Sequence, residues 1–447
     1  MAMDLTEGRE GRQIVLFSIP LMLGNMFQQL YSITDSIIVG RLLGSQALAA
    51  VGATIPIVRL SISLFQGITL GLSVVVSQSF GRHSDEDVRK AIDSGYCFFI
   101  LFSILLSVVG FFLTPTLLRW IRTPQEILAD SIGYLHVTFL ATLFSVGYNV
   151  ANATYRGIGN STVPLVTLVL STVLNIALDY IFVTFLHMSV VGTAWATLIA
   201  QGTAFISSFI YFQVKYPNYR TDPRHLNYSR ESLVKSLKIG MPSGLKASLY
   251  WGGYTVITAT VNTFGAATVA AFGVASKIDS FVQTPVGSLG NGLASFVGQN
   301  LGANKPQRVE KAIKVSVSMG VLISLMLTLI MYFFARPIIM LFSSDEEVIA
   351  IGVEYLKLVS LFYVIYALQE VIQGLSVGTG NTILLMISTI TAMWVVRVPV
   401  AKILSSFMGA KGVWLSIPTG WFVAMLFTNS YYVTGKWRTK FGDSAKK

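Results

Sequence analysis

Two aspartates lie inside stretches of sequence that are apolar enough to cross a lipid bilayer, and each one ends a polar stripe. Asp35 closes the apolar run 14–39, and Asp179 closes the run 163–185. The polar residues that precede them at helical spacing are Asn25, Gln28, Gln29 and Ser32 before Asp35, and Thr167, Ser171 and Asn175 before Asp179. Residues three or four apart share a helix face, so each acid should face a polar interior. Intramembrane acids usually mark an ion or substrate path, and the alternative is a structural polar cluster.

The chemistry that such a pair offers is proton exchange. Asp35 and Asp179 should lie roughly 31 and 24 Å from the side where their helices begin. Desolvation and a neighbouring like charge both disfavour a carboxylate anion, so a close pair should hold a proton that bulk water would remove. Tyr31 and Asn175 each precede one of the acids by four residues, and both can donate hydrogen bonds to this network.

Pro20 lies inside the first apolar run, where it removes a backbone hydrogen bond and tends to kink the helix. One interpretation is a static kink. The other is a bend whose angle depends on the protonation of Asp35. Prolines are common in transmembrane helices, so the sequence leaves both open.

The composition is that of an integral membrane protein. Of 447 residues, 53% are hydrophobic and 12% are charged, and mean hydropathy is +0.65. Soluble domains carry about 25% charged residues. The apolar runs, each near the ~20 residues that a helix needs to cross a bilayer, are 14–39, 47–79, 96–118, 132–155, 163–185, 190–213, 239–264, 268–299, 312–334, 350–375, 383–407 and 412–434. The sequence therefore predicts an all-α protein with twelve transmembrane helices.

The distribution of lysine and arginine predicts the orientation. With twelve spans, both termini and the even-numbered loops share one side, and most basic residues fall there. The odd-numbered loops carry only Arg41, Arg119, Arg122, Arg336 and Lys411. Basic residues concentrate in cytoplasmic loops, so we expect cytoplasmic termini in a multi-pass protein of the inner (plasma) membrane. The net charge of +11 then reflects topology and anionic lipid, and we expect no nucleic-acid partner.

The two halves of the chain repeat each other. Glycines of the first half recur in the second half at one constant offset, in the pairs Gly44 and Gly265, Gly52 and Gly273, Gly71 and Gly292, and Gly81 and Gly302. Six helices per repeat is an even number, so the copies are parallel and related by a pseudo-two-fold axis along the membrane normal. We expect an N-terminal lobe at 1–214, a cytoplasmic linker at 215–238 and a C-terminal lobe at 239–447, with the substrate site between the lobes.

Several functional classes lack the residues that they need. No G-x-x-x-x-G-K-[ST] motif is present, which excludes a nucleotide-driven pump of that type. The lone Cys97 and the isolated His136 offer no metal site, and no catalytic motif or cofactor site is evident, so we expect neither an enzyme nor a cofactor. The second half holds intramembrane residues of both signs, which we interpret as ion pairs: Lys246, Lys277, Asp279, Lys357, Glu370 and Arg397.

The chain resembles the multidrug and toxic compound extrusion (MATE) family of secondary transporters, and within it the DinF-like branch. The residues that carry the resemblance are Pro20 with Asp35, the stretches ending at Gly81 and Gly302, Arg156-Gly157-x-Gly159-Asn160, and the segment 174–182. The resemblance implies an antiporter that expels amphipathic, often cationic compounds in exchange for protons or sodium ions. It nominates Asp35 and Asp179 as coupling acids, with Asn175 and Tyr31 in their network.

One alternative coupling ion, sodium, and one alternative function, a flippase, stay open. Sodium-coupled members of the family resemble one another in acids on spans seven and ten, where this chain has Tyr250 and Tyr366. That departure favours protons, although sodium at the first-lobe acids is possible. A flippase for a lipid-linked saccharide is the second alternative, because the same superfamily of folds includes such proteins and Lys246 and Arg397 could bind pyrophosphate.

Overall fold

The computed structural model describes residues 3–222 and 226–446, so Pro223 and Arg224 of the predicted linker lie outside it. The described residues form helices and contain no strand. The α-helices are α1 (Glu10–Ile38), α2 (Gly44–Gly81), α3 (Asp85–Trp120), α4 (Gln125–Gly157), α5 (Thr162–Thr184), α6 (Val190–Lys215), α7 (Arg230–Val261), α8 (Ala266–Gly302), α9 (Pro306–Phe333), α10 (Ala335–Met340), α11 (Glu346–Ser360), α12 (Tyr363–Gly378), α13 (Thr382–Ile390), α14 (Val398–Met408) and α15 (Ala410–Val433). A π-helical turn, Thr391–Arg397, joins α13 to α14.

The predicted crossings correspond to these helices. Among the described residues, nine helical stretches are long and apolar enough to span a membrane, and α11 with α12 makes a tenth that is bent by 55°. The two long helices that remain, α7 and α8, are more polar because they contain lysines, an aspartate and several glycines. Nine stretches, the bent pair α11 and α12, and the helices α7 and α8 together give twelve spans. The predicted fold class, an all-α integral membrane protein of the twelve-helix type, is confirmed.

The internal repeat is visible in the backbone. Left-handed φ angles, which non-glycine residues rarely adopt, recur at the same offset as the repeated glycines. The matching positions are Gly44 (86°) and Gly265 (93°), His83 (54°) and Asn304 (57°), and Gly159 (81°) and Gly380 (76°). The chain therefore makes the same turns twice.

The described chain forms two compact units. The first unit is built mainly from Leu23–Gly240, and the second combines Asp4–Met22 with Met241–Lys447. The predicted lobe boundaries at 214 and 239 stay a prediction. In the second unit the segment before α1 is bound tightly: Leu5 N donates to Gln299 Oε1 at 2.8 Å, and Asn300 Nδ2 donates to Leu5 O at 3.0 Å.

Equivalent glycines allow close helix packing inside each unit. A Cβ on Gly71 of α2 would lie 2.1 Å from Ser236 O of α7, within the first unit. A Cβ on Gly292 of α8 would lie 2.1 Å from Ser18 Oγ of α1, within the second unit. At Gly71 the obstacle is a backbone atom, so only glycine permits that approach. At Gly292 the obstacle is a side-chain hydroxyl, which can rotate, so the requirement for glycine is weaker there.

Candidate functional site

The two acids predicted from the sequence meet inside the first unit. Asp35 lies in the last turn of α1 and Asp179 in the last two turns of α5, and their carboxyl groups adjoin each other closely enough for a hydrogen bond between them. Asp179 is 0% exposed. Two carboxyl groups can form such a bond only if one of them carries a proton, because two anions have no donor between them. Asp179 is sealed from water, whereas Asp35 is partly exposed, so the pair joins an interior carboxyl group to an accessible one.

Asn175 holds the carboxylate of Asp179 in place. The orientation of its amide is assigned from the hydrogen-bond network. In the orientation that satisfies its neighbours, Nδ2 donates to Asp179 Oδ2 at 2.9 Å and Oδ1 accepts from Thr197 N at 3.2 Å. Asn175 is only 1% exposed, so both bonds form in the interior. A buried carboxylate bonded in this way has a fixed position relative to Asp35.

Tyr31 completes the predicted set. Its hydroxyl lies 3.3 Å from Thr197 Oγ1, and it interacts electrostatically with both Asp35 and Asp179. The structure thus brings Asp35, Asp179, Asn175 and Tyr31 into one cluster. It does not bring Pro20 there, because Pro20 precedes Asp35 by fifteen residues, or roughly 22 Å along a continuous helix.

Two residues near the acids, Thr197 and Tyr134, were not predicted from the sequence as part of the site. Thr197 of α6 contacts both Asn175 and Tyr31, and Tyr134 of α4 interacts electrostatically with both acids. A signal for the first existed, since Thr193, Thr197 and Gln201 are spaced four residues apart and give α6 a polar face. A signal for Tyr134 existed as well, because it recurs at the offset of the internal repeat as Tyr355, which donates to Asp279 in the second unit.

A small polar cavity adjoins this cluster. Its volume is about 30 Å³, room for roughly two water molecules. It lies between α1, α5 and α6, and the residues lining it are Gln28, Tyr31, Leu168, Ser171, Thr172, Asn175, Thr197, Ala200 and Gln201. The stripes on α1 and α5 both contribute to this wall, which agrees with the prediction that they face a polar interior.

The charges of the second unit are satisfied differently from our expectation. We interpreted them as ion pairs, but within the described residues no direct ion pair joins any of the six. Lys246 Nζ donates to Gln373 Oε1 at 2.7 Å, and Gln373 Nε2 donates to Glu370 Oε2 at 3.1 Å. Asp279 accepts hydrogen bonds from the hydroxyls of Tyr355, at 3.0 Å, and Tyr363. Neutral amide and phenol groups, which have the donors and acceptors required, take the place of opposite charges.

No metal-binding group emerges from the described part of the chain. It contains no cluster of three or more histidine, cysteine, aspartate or glutamate side chains that could hold a metal ion. His136 stacks on Phe111, with 4.0 Å between the ring centroids. That contact places the imidazole in an aromatic environment between α3 and α4.

Comparison with known proteins agrees with this architecture. A sequence model of the MatE family matches the chain twice, at residues 20–181 and 242–403. The two matches begin at Pro20 and Pro242, which occupy nearly equivalent positions in the internal repeat. They cover most of each unit and include the acid pair.

Similar proteins extend along the whole chain. "Probable multidrug resistance protein YpnP" of Bacillus subtilis is 30% identical over 98% of this chain and 98% of its own length. "Probable multidrug resistance protein YoeA" of the same organism is 30% identical over 94% of this chain and 93% of its own. Among solved structures, an outward-facing multidrug resistance MATE family transporter of the MOP superfamily is 25% identical, with a TM-score of 0.92 and coverage of 100% and 99%. Since the MatE match covers more than half of the chain, the protein belongs to the MATE family of transporters.

Proposed function

We propose that this protein is a multidrug efflux antiporter that exports amphipathic, often cationic compounds in exchange for protons by alternating access. The observation that carries the proposal is the juxtaposition of the carboxyl groups of Asp35 and Asp179, with Asp179 fully buried and held by Asn175. The names of the relatives, which are multidrug resistance proteins, support the substrate class. We place the chain in the DinF-like branch of the family on its first-unit acids.

The acid pair couples the two fluxes by competition for one negative charge. With one proton retained by Asp179, which is fully buried, the remaining charge of −1 lies on Asp35 and attracts a lipophilic cation strongly, because the site has a low dielectric constant. A second proton neutralises the pair, removes the attraction and releases the cation. Since pH is lower outside the cell, protons enter from that side and substrate leaves there.

The neighbouring residues keep the pair in the geometry that this exchange requires. Asn175 donates to Asp179 in both protonation states, and Tyr31 and Thr197 fix the adjacent wall of the cavity. The cavity has room for water beside Asn175, and water could carry protons to the pair. In our proposal Pro20 permits α1 to bend when the charge on Asp35 changes.

The test is the affinity of a cationic ligand as a function of pH, measured on purified protein. Affinity of the wild type should fall as pH falls, because protonation removes the charge that binds the cation. Asp35→Asn mimics the neutral form and should lose both the pH dependence and proton-driven export. Glu347→Gln removes an exposed acid at the start of α11 and is the matched control. If Asp35→Asn keeps the wild-type slope, coupling lies elsewhere and Asp179 is the next candidate.

Sodium is the second candidate for the coupling ion. The carboxylates of Asp35 and Asp179, the hydroxyl of Thr197 and the amide oxygen of Asn175 are oxygen ligands, which hard cations prefer. If sodium binds there, adding Na⁺ at constant pH should weaken binding of the cationic ligand in the wild type. Protons alone couple transport if Na⁺ has no effect beyond that of K⁺ at equal ionic strength.

The flippase alternative is less well supported. It requires cations that can receive a pyrophosphate group, but Lys246 has the negative charge of Glu370 beside it, which repels an anion with several charges. Arg397 is only 5% exposed and lies near Asp279. We propose no enzymatic reaction and no cofactor, since the family and the similar structures are transporters.

The chain is a multi-pass membrane protein, and we propose that it lies in the inner (plasma) membrane with both termini in the cytoplasm. The asymmetry of lysine and arginine supports this orientation. Cysteines introduced at Arg224, which lies outside the described residues, and at Lys440 should react with an impermeant reagent only from the cytoplasmic side. Cysteines at Arg122 and Lys411 should react only from outside. Reaction of Arg224 and Arg122 from the same face would refute the twelve-span topology.

A further inference from the structure

The second unit holds two opposite charges that are kept apart by an amide. Lys246 on α7 and Glu370 on α12 attract each other, but Gln373 lies between them and bonds to both. Gln369 Nε2 also donates to Glu370 Oε1, at 3.4 Å. A pair that served only to neutralise charge would gain more from direct contact. The separation leaves each charge able to bind a further group.

The hydrogen-bonding capacity of the pair is only partly used. An ammonium group has three donors, and the described residues occupy one of them through Gln373. A carboxylate offers about four acceptor positions, of which Gln369 and Gln373 occupy two. Lys246, Glu370 and Gln373 are all partly exposed rather than sealed in the core. The unused donors of Lys246 and the unused acceptors of Glu370 are the groups that a ligand would bind.

Aromatic rings border the pair. Tyr250 is one helical turn from Lys246 on α7 and is 39% exposed. Tyr366 is one turn from Glu370 on α12, and its ring packs against Trp421 with 5.3 Å between centroids. Trp251 is 41% exposed and contacts both Tyr250 and Tyr254 edge to face. Such rings provide an apolar wall for the flat body of an amphipathic molecule.

We propose that Lys246, Gln373 and Glu370 form a binding site for zwitterionic substrates, which carry both a carboxylate and a cationic group. The carboxylate binds Lys246, the cationic group binds Glu370, and the aromatic body lies against Tyr250 and Tyr366. A substrate with a cation alone is bound less well there, because Lys246 repels it. The inference rests on the proposed export function and assigns a substrate class to the second unit.

The first unit has no equivalent of this charge pair. Counted from the matching prolines Pro20 and Pro242, Lys246 corresponds to Gly24, and at the offset of the repeated glycines Glu370 and Gln373 correspond to Asn149 and Asn152. None of these three residues carries a charge, so they cannot distinguish a zwitterion from a cation by charge. Selection for a carboxylate therefore belongs to the second unit alone.

The experiment uses rhodamine B, a zwitterion at neutral pH, and its ethyl ester, which has the same ring system without the free carboxylate. Binding of each dye to the purified full-length protein is measured by fluorescence anisotropy at one pH. The wild type should bind rhodamine B about tenfold more tightly than the ester, which is the contribution of one charge-assisted hydrogen bond. Lys246→Met should remove that preference, and Lys246→Arg should restore much of it.

Lys277→Met is the matched control, since it removes an exposed lysine from α8 of the same unit and should leave the preference unchanged. Glu370→Gln tests the site in the opposite direction and does not depend on obtaining the Lys246 variant. The variant lacks the negative charge beside Lys246, so the ammonium should bind the carboxylate of rhodamine B more strongly. The preference for rhodamine B over the ester should therefore increase.

Three results would overturn the assignment: an equal change in affinity for both dyes in Lys246→Met, no preference in the wild type, or a reduced preference in Glu370→Gln. Failure of the export proposal would give a different result. Binding of the ester would then be independent of pH, while the ratio of the affinities for rhodamine B and its ester would stay the same.

Discussion

The two units repeat one fold but differ in the chemistry of their buried charges. In the first unit, the carboxyl groups of Asp35 and Asp179 adjoin each other, so two like charges meet there. At the offset of the internal repeat, the second unit has Val256 and Val400 at these positions. The family model matches both halves, so the fold is common while the acid pair is not. Similarity of fold therefore gives no guide to which unit exchanges protons.

Asp279, one of the buried acids of the second unit, has the partners expected of a structural carboxylate. Asp279 is 5% exposed, receives hydrogen bonds from two tyrosine hydroxyls and has the positive charge of Arg397 nearby. These three partners stabilise the anion against the cost of its burial. The first-unit pair has a like charge as its neighbour, and a proton relieves the repulsion.

The largest difference between the units should appear when one acid in each is replaced by asparagine and proton-coupled export is compared. Asp179→Asn removes the site of exchange and should abolish proton-coupled export in a folded protein. Asp279→Asn should leave coupling intact but destabilise the protein by about 1–3 kcal/mol, because it weakens buried hydrogen bonds to a charge. Dye export at two external pH values and thermal unfolding separate these effects. Loss of pH dependence in Asp279→Asn with normal stability would contradict the contrast between the units.

A smaller effect is expected from Asn175→Leu, which removes the hydrogen bond to Asp179 Oδ2. We expect substrate affinity at neutral pH to fall about tenfold, the contribution of one hydrogen bond to a charged group. The control is Val396→Leu, at the corresponding position of the second unit, which should change affinity little. Wild-type transport by well-expressed Asn175→Leu protein would show that the amide does not hold the acid pair.

The smallest effect should come from Thr197→Val, which removes the hydroxyl next to Tyr31 and keeps the backbone N–H that Asn175 uses. A neutral hydrogen bond contributes about 1 kcal/mol, so affinity should fall roughly three- to tenfold. Thr203→Val removes a hydroxyl that bonds only to Ile199 O of the same helix, and it serves as the control. Equal losses in both variants would mean that the hydroxyl of Thr197 has no specific role in the site.

The sequence predicted the all-helical fold, the repeat and the four residues Asp35, Asp179, Asn175 and Tyr31 that lie together in the first unit. These predictions depend on local properties: hydropathy over about twenty residues, the helical period and the spacing of glycines. The helical period also placed each acid at the end of a polar stripe. Pro20 was recognised as a point where α1 could bend, but its role depends on motions that no local pattern describes.

The tertiary structure decided which side chains are partners. Tyr31 meets Thr197 across 166 residues of sequence, and Lys246 meets Gln373 across 127. Such contacts depend on how helices pack, which composition and periodicity do not specify. The same packing overturned the ion pairs that we expected in the second unit, because tyrosine hydroxyls and a glutamine amide lie where opposite charges were predicted. The sequence by itself determined that charge is buried in both halves. Packing determined that two acids adjoin each other in one half, while an amide separates opposite charges in the other.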